Sequence, residues 1–286
     1  MSTNSSSPSP PQLTHVKVTT EPGIATITYN RPTNANALNV ATLKDILAAL
    51  QYTESNADIR VIVTTGAGKF YTAGLDLLDP SNSSPTSTIN EAFLSVLSEI
   101  HVLLINTPKL HIAAVNGPAP GWGTSSLALC DLVYATRDAI FFTPFVQWGL
   151  CAEACSSVTF RSIMGRQKAA GLILAGQRMG AEEMERAGLV TKVFDVEGHD
   201  EDGKKGEVFV QKVLEVARTV AALPPKSLRL NKELMMRGHR EELLQANKLE
   251  LELLREQCRG EESRKAINGF REAQDKKKKN AKASKL

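Results

Sequence analysis

The sequence predicts an α/β layer fold followed by a helical C-terminal region. Three features carry that expectation. Short β-branched runs alternate with amphipathic stretches through the first half of the chain. Two of those runs close on glycine turns, at Gly66 and at Asn116-Gly117. Beyond Val193 the strand signals stop, and Glu207 to Ala273 reads as helix almost throughout.

The elements follow in order. Val16–Thr20 and Ile24–Tyr29 flank Glu21-Pro22-Gly23, which is a hairpin signal. Leu43, Ile46, Leu47 and Leu50 are spaced along one face of a helix over Val40–Glu54. Arg60–Thr65 reads as a buried strand ending at Gly66, and Ile89–Asn106 as a second amphipathic helix. Leu110–Val115 is an apolar strand, with Leu132–Ala135 and Ile140–Thr143 as further strands. Glu197–Gly206 is charged and glycine-rich, so a loop is expected there. Pro224-Pro225 starts a new helix. Leu243, Leu244, Leu249, Leu251, Leu253 and Leu254 then crowd one long helix. That is more apolar face than one helix buries against itself, so it packs on the core or on another subunit.

Composition narrows the function classes. At 42% hydrophobic residues the chain suits a globular core, and no apolar run reaches the length of a membrane span. Met1–Gln12 is Ser/Pro-rich without an apolar stretch and reads as a disordered arm rather than a signal peptide. The formal charge of +3 comes from the terminus. Residues 276–286 hold six lysines and no acid, so the remaining 28 basic and 31 acidic residues leave the body at −3. The basic balance is therefore no footprint for nucleic acid. Ser284-Lys285-Leu286 at the C-terminus is a peroxisomal address, read by an import receptor. Cys130, Cys151, Cys155 and Cys258 lack zinc-site spacing and read as buried thiols.

Chemistry concentrates at three places. Glu153 is the sole charged residue between Asp138 and Arg161, in a stretch of apolar and small residues. Burial would raise its pKa toward the range useful for proton transfer near neutrality. The plain alternative is an acid stabilised at a helix N-terminus. Upstream, Phe70-Tyr71-Thr72-Ala73-Gly74-Leu75-Asp76-Leu77 is a sharp turn after a strand, with Gly74 freeing the backbone and the N–H of Leu75 directed outward. Val115-Asn116-Gly117-Pro118-Ala119-Pro120-Gly121-Trp122-Gly123-Thr124 is a second turn, opening a helix whose first N–H groups include that of Trp122. Alone, each is an ordinary turn or cap. Together, two N–H donors form an oxyanion hole, and a carboxylate beside it suffices to move a proton next to a thioester.

With these motifs the chain resembles the crotonase superfamily of enoyl-CoA hydratases and isomerases from about Val16 to Phe270. The resemblance rests on Arg31-Pro32 through Asn36-Ala37-Leu38-Asn39, the Ala73-Gly74-Leu75-Asp76 turn, Val115-Asn116-Gly117-Pro118-Ala119, Cys130-Asp131-Leu132 and Ala187-Gly188-Leu189-Val190. It implies a spiral of ββα units over residues 13–206, a helical trimerisation region over 207–273, and a basic tail over 274–286. It implies homotrimers or homohexamers. The N–H groups of Leu75 and Trp122 would hold the thioester oxygen of a coenzyme A ester. The rest of the ester would lie along Asn36, Ala37, Leu38, Ala73, Gly74 and Gly121, with Lys232 on a phosphate. No metal or separate cofactor is implied, since coenzyme A belongs to the substrate.

The fold does not fix the reaction. Hydratases of the family use two glutamates, and those places hold Ser125 and Phe145 here. Phe145–Ser157 instead looks like peroxisomal Δ3,Δ2-enoyl-CoA isomerases, which carry Gly-x-x-Pro-Glu-Gly-Cys-Ser-Ser and whose catalytic glutamate falls on Glu153. Ala152 replaces the usual proline and Ala154 the usual glycine. The implied activity moves the double bond of a 3-enoyl-CoA into conjugation, within peroxisomal β-oxidation. Two other readings stand beside it: a hydratase-like enzyme of a specialised acyl pathway, and a non-catalytic acyl-CoA-binding relative. Of the remaining candidates, His15, His101, His111, His199 and His239 read as core or surface histidines, with His101 or His111 near the acyl tunnel as the alternative, and Asp76 and Asp131 as structural acids. The Trp122 ring either shapes the acyl pocket or packs on Trp148.

Overall fold

The computed structural model describes residues 9–196 and 204–283. Ser284–Leu286, His199, most of the expected 197–206 loop and residues 1–8 of the expected arm lie outside them. In order, the described elements are β1 (Val16–Glu21), β2 (Ile24–Tyr29), α1 (Val40–Ser55), β3 (Val61–Gly66), α2 (Glu91–Asn106), β4 (Leu110–Val115), β5 (Ala119–Pro120) and α3 (Trp122–Ser125). Then come β6 (Leu132–Thr136), β7 (Ile140–Phe142), α4 (Ser156–Ile173), β8 (Met179–Gly180), α5 (Ala181–Ala187) and β9 (Lys192–Phe194). Helices α6 (Lys204–Ala221), α7 (Pro225–Met236), α8 (His239–Arg259) and α9 (Glu261–Ala283) complete the fold.

Six strands form the main sheet in the order β1-β2-β3-β4-β6-β9. The β1–β2 hairpin is antiparallel, and every later pairing in this sheet is parallel. Both faces are covered, as parallel sheets require. Alternate residues divide between them with the two-residue strand period. Ala25, Ile27, Ile62, Ala113, Val115 and Val133 face the cluster that contains α1 and α2. Ile24, Val61, Val63, Ile112 and Ala114 pack instead under Phe209, Val213 and Ala217 of α6. A small second sheet, β5-β7-β8, carries the backbone just before Trp122. This is the α/β architecture with a helical C-terminal region that the sequence predicts.

The expected strands and helices of the first half recur within a residue or two of their anticipated ends. Short β8, β9 and α5, and the long α4, had no separate expectation. Helix α9 continues past Ala273 to Ala283, so lysines expected in a tail are helical. No helix among the described residues is long and apolar enough to cross a membrane. Helix α7 buries none of its residues, and it leaves Leu230, Leu234 and Met235 exposed.

Candidate active site

The first turn is built around Asn36. Ala35 and Asn36 take left-handed backbone angles, with φ of 51° and 53°. The Asn36 amide donates to the carbonyls of Ala67 (2.9 Å) and Phe70 (2.8 Å), and its oxygen accepts from Arg31 N (2.9 Å). Thr72 Oγ1 donates to Asn36 O (2.7 Å), and Ala73 N to Ala35 O (2.8 Å). Leu38 N then donates to Gly74 O (2.7 Å) and Asp76 N to Leu38 O (2.9 Å). These bonds lace residues 36–38 to 73–76. The N–H of Leu75, between them, donates to no protein acceptor among the described residues.

The second turn meets the first. Gly121 takes φ 60° and ψ −123°, and its N–H donates to Phe142 O (2.9 Å). The N–H of Trp122, first in α3, is likewise unspent among the described residues. Gly74 faces this turn so closely that a Cβ there would lie 2.8 Å from Pro120 O and 3.5 Å from Trp122 N. Only a glycine permits that approach at φ 70°. Leu75 and Trp122 both line a cavity of about 640 Å³.

Glu153 lies on the wall of the same cavity, 6% exposed. Ser125 Oγ donates a short hydrogen bond to its Oε1, and its Oε2 is buried with no hydrogen-bond partner. Burial pushes the Glu153 pKa up to about 8; Ser125 pulls it down, and nearby Glu250 pushes it up. Asp76 also lines the cavity, but Arg31 (3.3 Å) and the N–H of Leu78 (3.2 Å) occupy its oxygens. Glu153 is thus the cavity carboxylate with an oxygen to spare.

Behind the cavity runs a buried polar chain. Trp122 Nε1 donates to His101 Nε2 at 2.9 Å, so the proton of a neutral His101 is on Nδ1, which donates to Asn247 Oδ1 at 2.8 Å. Burial lowers the His101 pKa to about 4. Its 3.7 Å approach to Glu153 Oε2 is therefore no ion pair near neutrality. The chain fixes the Trp122 ring, which also packs on Tyr29 with centroids 6.3 Å apart. Trp148 pairs with Phe270 instead, at 5.1 Å, and both of those rings line the cavity.

Of the residues singled out from sequence, Ala37, Leu38, Ala73, Leu75, Gly121, Trp122 and Glu153 converge on one cavity. Asn36 and Gly74 lie just behind its wall and shape it. Lys232 does not line it; its ammonium donates to Lys109 O (2.6 Å) and the Asp131 carboxylate (2.7 Å). Of the two hydratase positions, Phe145 lines the cavity and Ser125 holds Glu153. Sequence reasoning had singled out Ser125 and His101 without pairing them to Glu153 and Trp122, and it missed Asn247 and Glu250. Their one legible signal was polar residues at Asn247 and Glu250 among the leucines of α8.

The fold and the two turns that meet at this cavity are those of the crotonase superfamily. The chain belongs to the enoyl-CoA hydratase/isomerase family, which it matches over residues 19–280. It is 39% identical over 257 residues to enoyl-CoA delta isomerase 2 of Rattus norvegicus, covering 89% of this chain and 63% of that protein. It therefore spans less than two thirds of that relative's length. It is 35% identical to enoyl-CoA delta isomerase 3, peroxisomal, of Mus musculus, covering 89% of this chain and 77% of that one. Among solved structures, the enoyl-CoA hydratase/isomerase of Pseudoalteromonas atlantica T6c superposes with a TM-score of 0.77 at 33% identity, over 91% of this chain and 98% of that one.

Proposed function

We propose that this protein is a Δ3,Δ2-enoyl-CoA isomerase of peroxisomal fatty-acid β-oxidation, with Glu153 as its single proton carrier. The observation that carries this reading is the pairing of one partly unspent carboxylate with two unspent N–H groups on the same cavity. The N–H groups of Leu75 and Trp122 hold the thioester oxygen and acidify carbon 2. Glu153 takes a proton from carbon 2, and negative charge develops on the held oxygen as a dienolate. Glu153 returns the proton at carbon 4, and the double bond moves into conjugation. Proton and electrons balance within the substrate, so no separate cofactor enters. Hydration would ask for a second acid–base group, and Ser125 and Phe145 stand where the family resemblance places one.

The acyl-CoA lies along Ala37, Leu38, Ala73 and Gly121, with Asn36 and Gly74 shaping that wall. The name of the mouse relative and the C-terminal Ser284-Lys285-Leu286 support import into peroxisomes. The exposed apolar side chains of α7 support a homotrimer or homohexamer.

The test mixes purified protein with a 3-enoyl-CoA and follows the ultraviolet band of the conjugated 2-enoyl thioester, with Glu153→Gln in parallel. Product from wild type and its loss in the variant are expected. No product from wild type, with acyl-CoA binding retained, overturns the isomerase reading. Loss of peroxisomal import on deleting the last three residues checks the address.

A further inference from the structure

Helix α8 holds the loop that carries Glu153 from behind. Glu250 is 5% exposed and reaches that loop with both carboxylate oxygens. Oε2 accepts from Cys155 N at 2.7 Å and Oε1 from Ser157 N at 2.9 Å. These N–H groups open α4, where no intrahelical acceptor exists for them. The backbone of α8 adds two contacts, Cys155 Sγ to Leu243 O (3.2 Å) and Cys151 Sγ to Glu250 O (3.6 Å). The segment from Cys151 to Ser157 is therefore clamped on both sides of Glu153.

That segment needs a clamp. Ala154 and Cys155 take φ of 55° and 61°, consecutive left-handed residues without glycine. Such a conformation is unfavourable for residues other than glycine and persists where the surroundings over-determine it. One face of α8 also carries Asn247, which holds His101 and through it the Trp122 ring. A single helix thus braces both the base and the turn that bears an oxyanion donor.

We propose that Glu250 is a positioning residue for the reaction, fixing the strained turn that aims Glu153 and placing a second negative charge behind it. The proposal rests on the isomerase reading of Glu153. The groups facing this pair are Ser125 and His101 on the cavity side, Cys151 and Cys155 on the turn, and the N–H groups of Cys155 and Ser157. No lysine or arginine pairs with Glu250 among the described residues. Burial raises the Glu250 pKa against its hydrogen bonds, and its charge pushes Glu153 upward in turn.

Glu250→Gln and Glu250→Asp separate position from charge. The Glu153 carboxyl is titrated by difference infrared spectroscopy, with Glu153→Gln as the blank, and isomerisation of a 3-enoyl-CoA is followed against pH. Glu250→Gln is expected to lower kcat by roughly ten- to a hundredfold, the scale of a misplacement of up to 1 Å. KM stays near wild type, and both the infrared titration and the acid limb of the rate move to lower pH. Glu250→Asp keeps the charge, so kcat falls while the titration stays near wild type. A folded Glu250→Gln with unchanged kcat and unchanged Glu153 titration overturns the proposal. If Glu250→Gln does not fold, a Glu250→Asp with wild-type kcat overturns it, and one with reduced kcat at retained KM supports it. If wild type fails to isomerise the substrate, the isomerase reading fails, and the infrared shift still decides the role of Glu250.

Discussion

Ser125 Oγ donates a hydrogen bond to Oε1 of Glu153 in the buried wall of the cavity, and Oε2 has no hydrogen-bond partner among the described residues. The bond stabilises the carboxylate, so it pulls the Glu153 pKa down against burial. Ser125→Ala is expected to raise that pKa further. A hydrogen bond to a charged group is worth about 1.5–3 kcal/mol, which moves a pKa by about one to two units. The acid limb of kcat/KM should shift upward by that amount, and a limb that stays in place would show that the bond does not tune Glu153.

The same buried carboxylate weakens the fold at high pH. Glu153 has a folded pKa of about 8 against 4.5 unfolded, so the folded state holds a proton that the unfolded state releases. Its contribution is fully present below pH 4.5 and is lost as pH rises through 8. Glu153→Gln removes this loss. Urea midpoints of variant and wild type should agree near pH 4.5 and diverge above it. At pH 9 the variant should be the more stable by a few kcal/mol. Equal pH dependence in the two proteins would contradict a raised pKa.

His101 and His111 act on the acid side with the opposite sign. Burial lowers their pKa values to about 4 and about 3 from 6.5. Their stability is present above pH 6.5 and is lost as pH falls toward 4. As pH falls through that window, His101→Gln should gain in Tm relative to wild type. Because Trp122 Nε1 loses its acceptor in His101→Ala, that variant should also cost about 1–3 kcal/mol at neutral pH. A Tm difference between wild type and His101→Gln that stays constant between pH 4 and 6.5 would refute the neutral assignment.

How much of this was legible follows from the range of each interaction. The hairpin, α1, β3 and β4 are written in local periodicity, which is why their ends agree to a residue or two. Leu75 and Trp122 were legible because each lies in a local turn whose chemistry is its backbone N–H, and Glu153 because it is the lone charge in an apolar stretch. Asn247 and Glu250 are different. Their partners His101, Cys155 and Ser157 are distant in sequence, and no local pattern pairs them. On α8 they occupy the buried face with Leu243, Leu251 and Leu254, whereas Leu249 and Leu253 point outward. The leucine count concealed which face was buried; two polar residues on that face were the clue.

Lys232 gives a direct contrast between two expectations. The resemblance puts it on a phosphate, and the structure puts its ammonium on Asp131 and Lys109 O. Asp131 also accepts from His111 N at 2.7 Å, so the pair ties α7 to β4. Lys232→Met is expected to lower stability by about 1–3 kcal/mol, since it leaves a partly buried acid underpaired. KM for the acyl-CoA should change less than about twofold, too little for a lost phosphate contact. A KM rise of about tenfold at unchanged Tm would instead return Lys232 to the phosphate.

Ala154 offers the sharpest probe of the loop around Glu153. It holds φ 55°, where the family resemblance places glycine. An L-residue pays about 1–2 kcal/mol there, and glycine would relieve it at a cost of about 0.4–1 kcal/mol in unfolded-chain entropy. Ala154→Gly should therefore stabilise the protein by up to about 1 kcal/mol. Relief should be coupled to Glu250, which holds the next residue in place through Cys155 N. With Glu250 replaced by Gln, the strained turn is free to relax, and the alanine there costs both stability and alignment of Glu153. In that background Ala154→Gly should recover part of the lost kcat, whereas alone it should leave kcat near wild type. A double-mutant cycle in kcat and Tm measures this coupling. Strict additivity would mean that strain at Ala154 and the Glu250 clamp are independent, and that the turn keeps its shape without either.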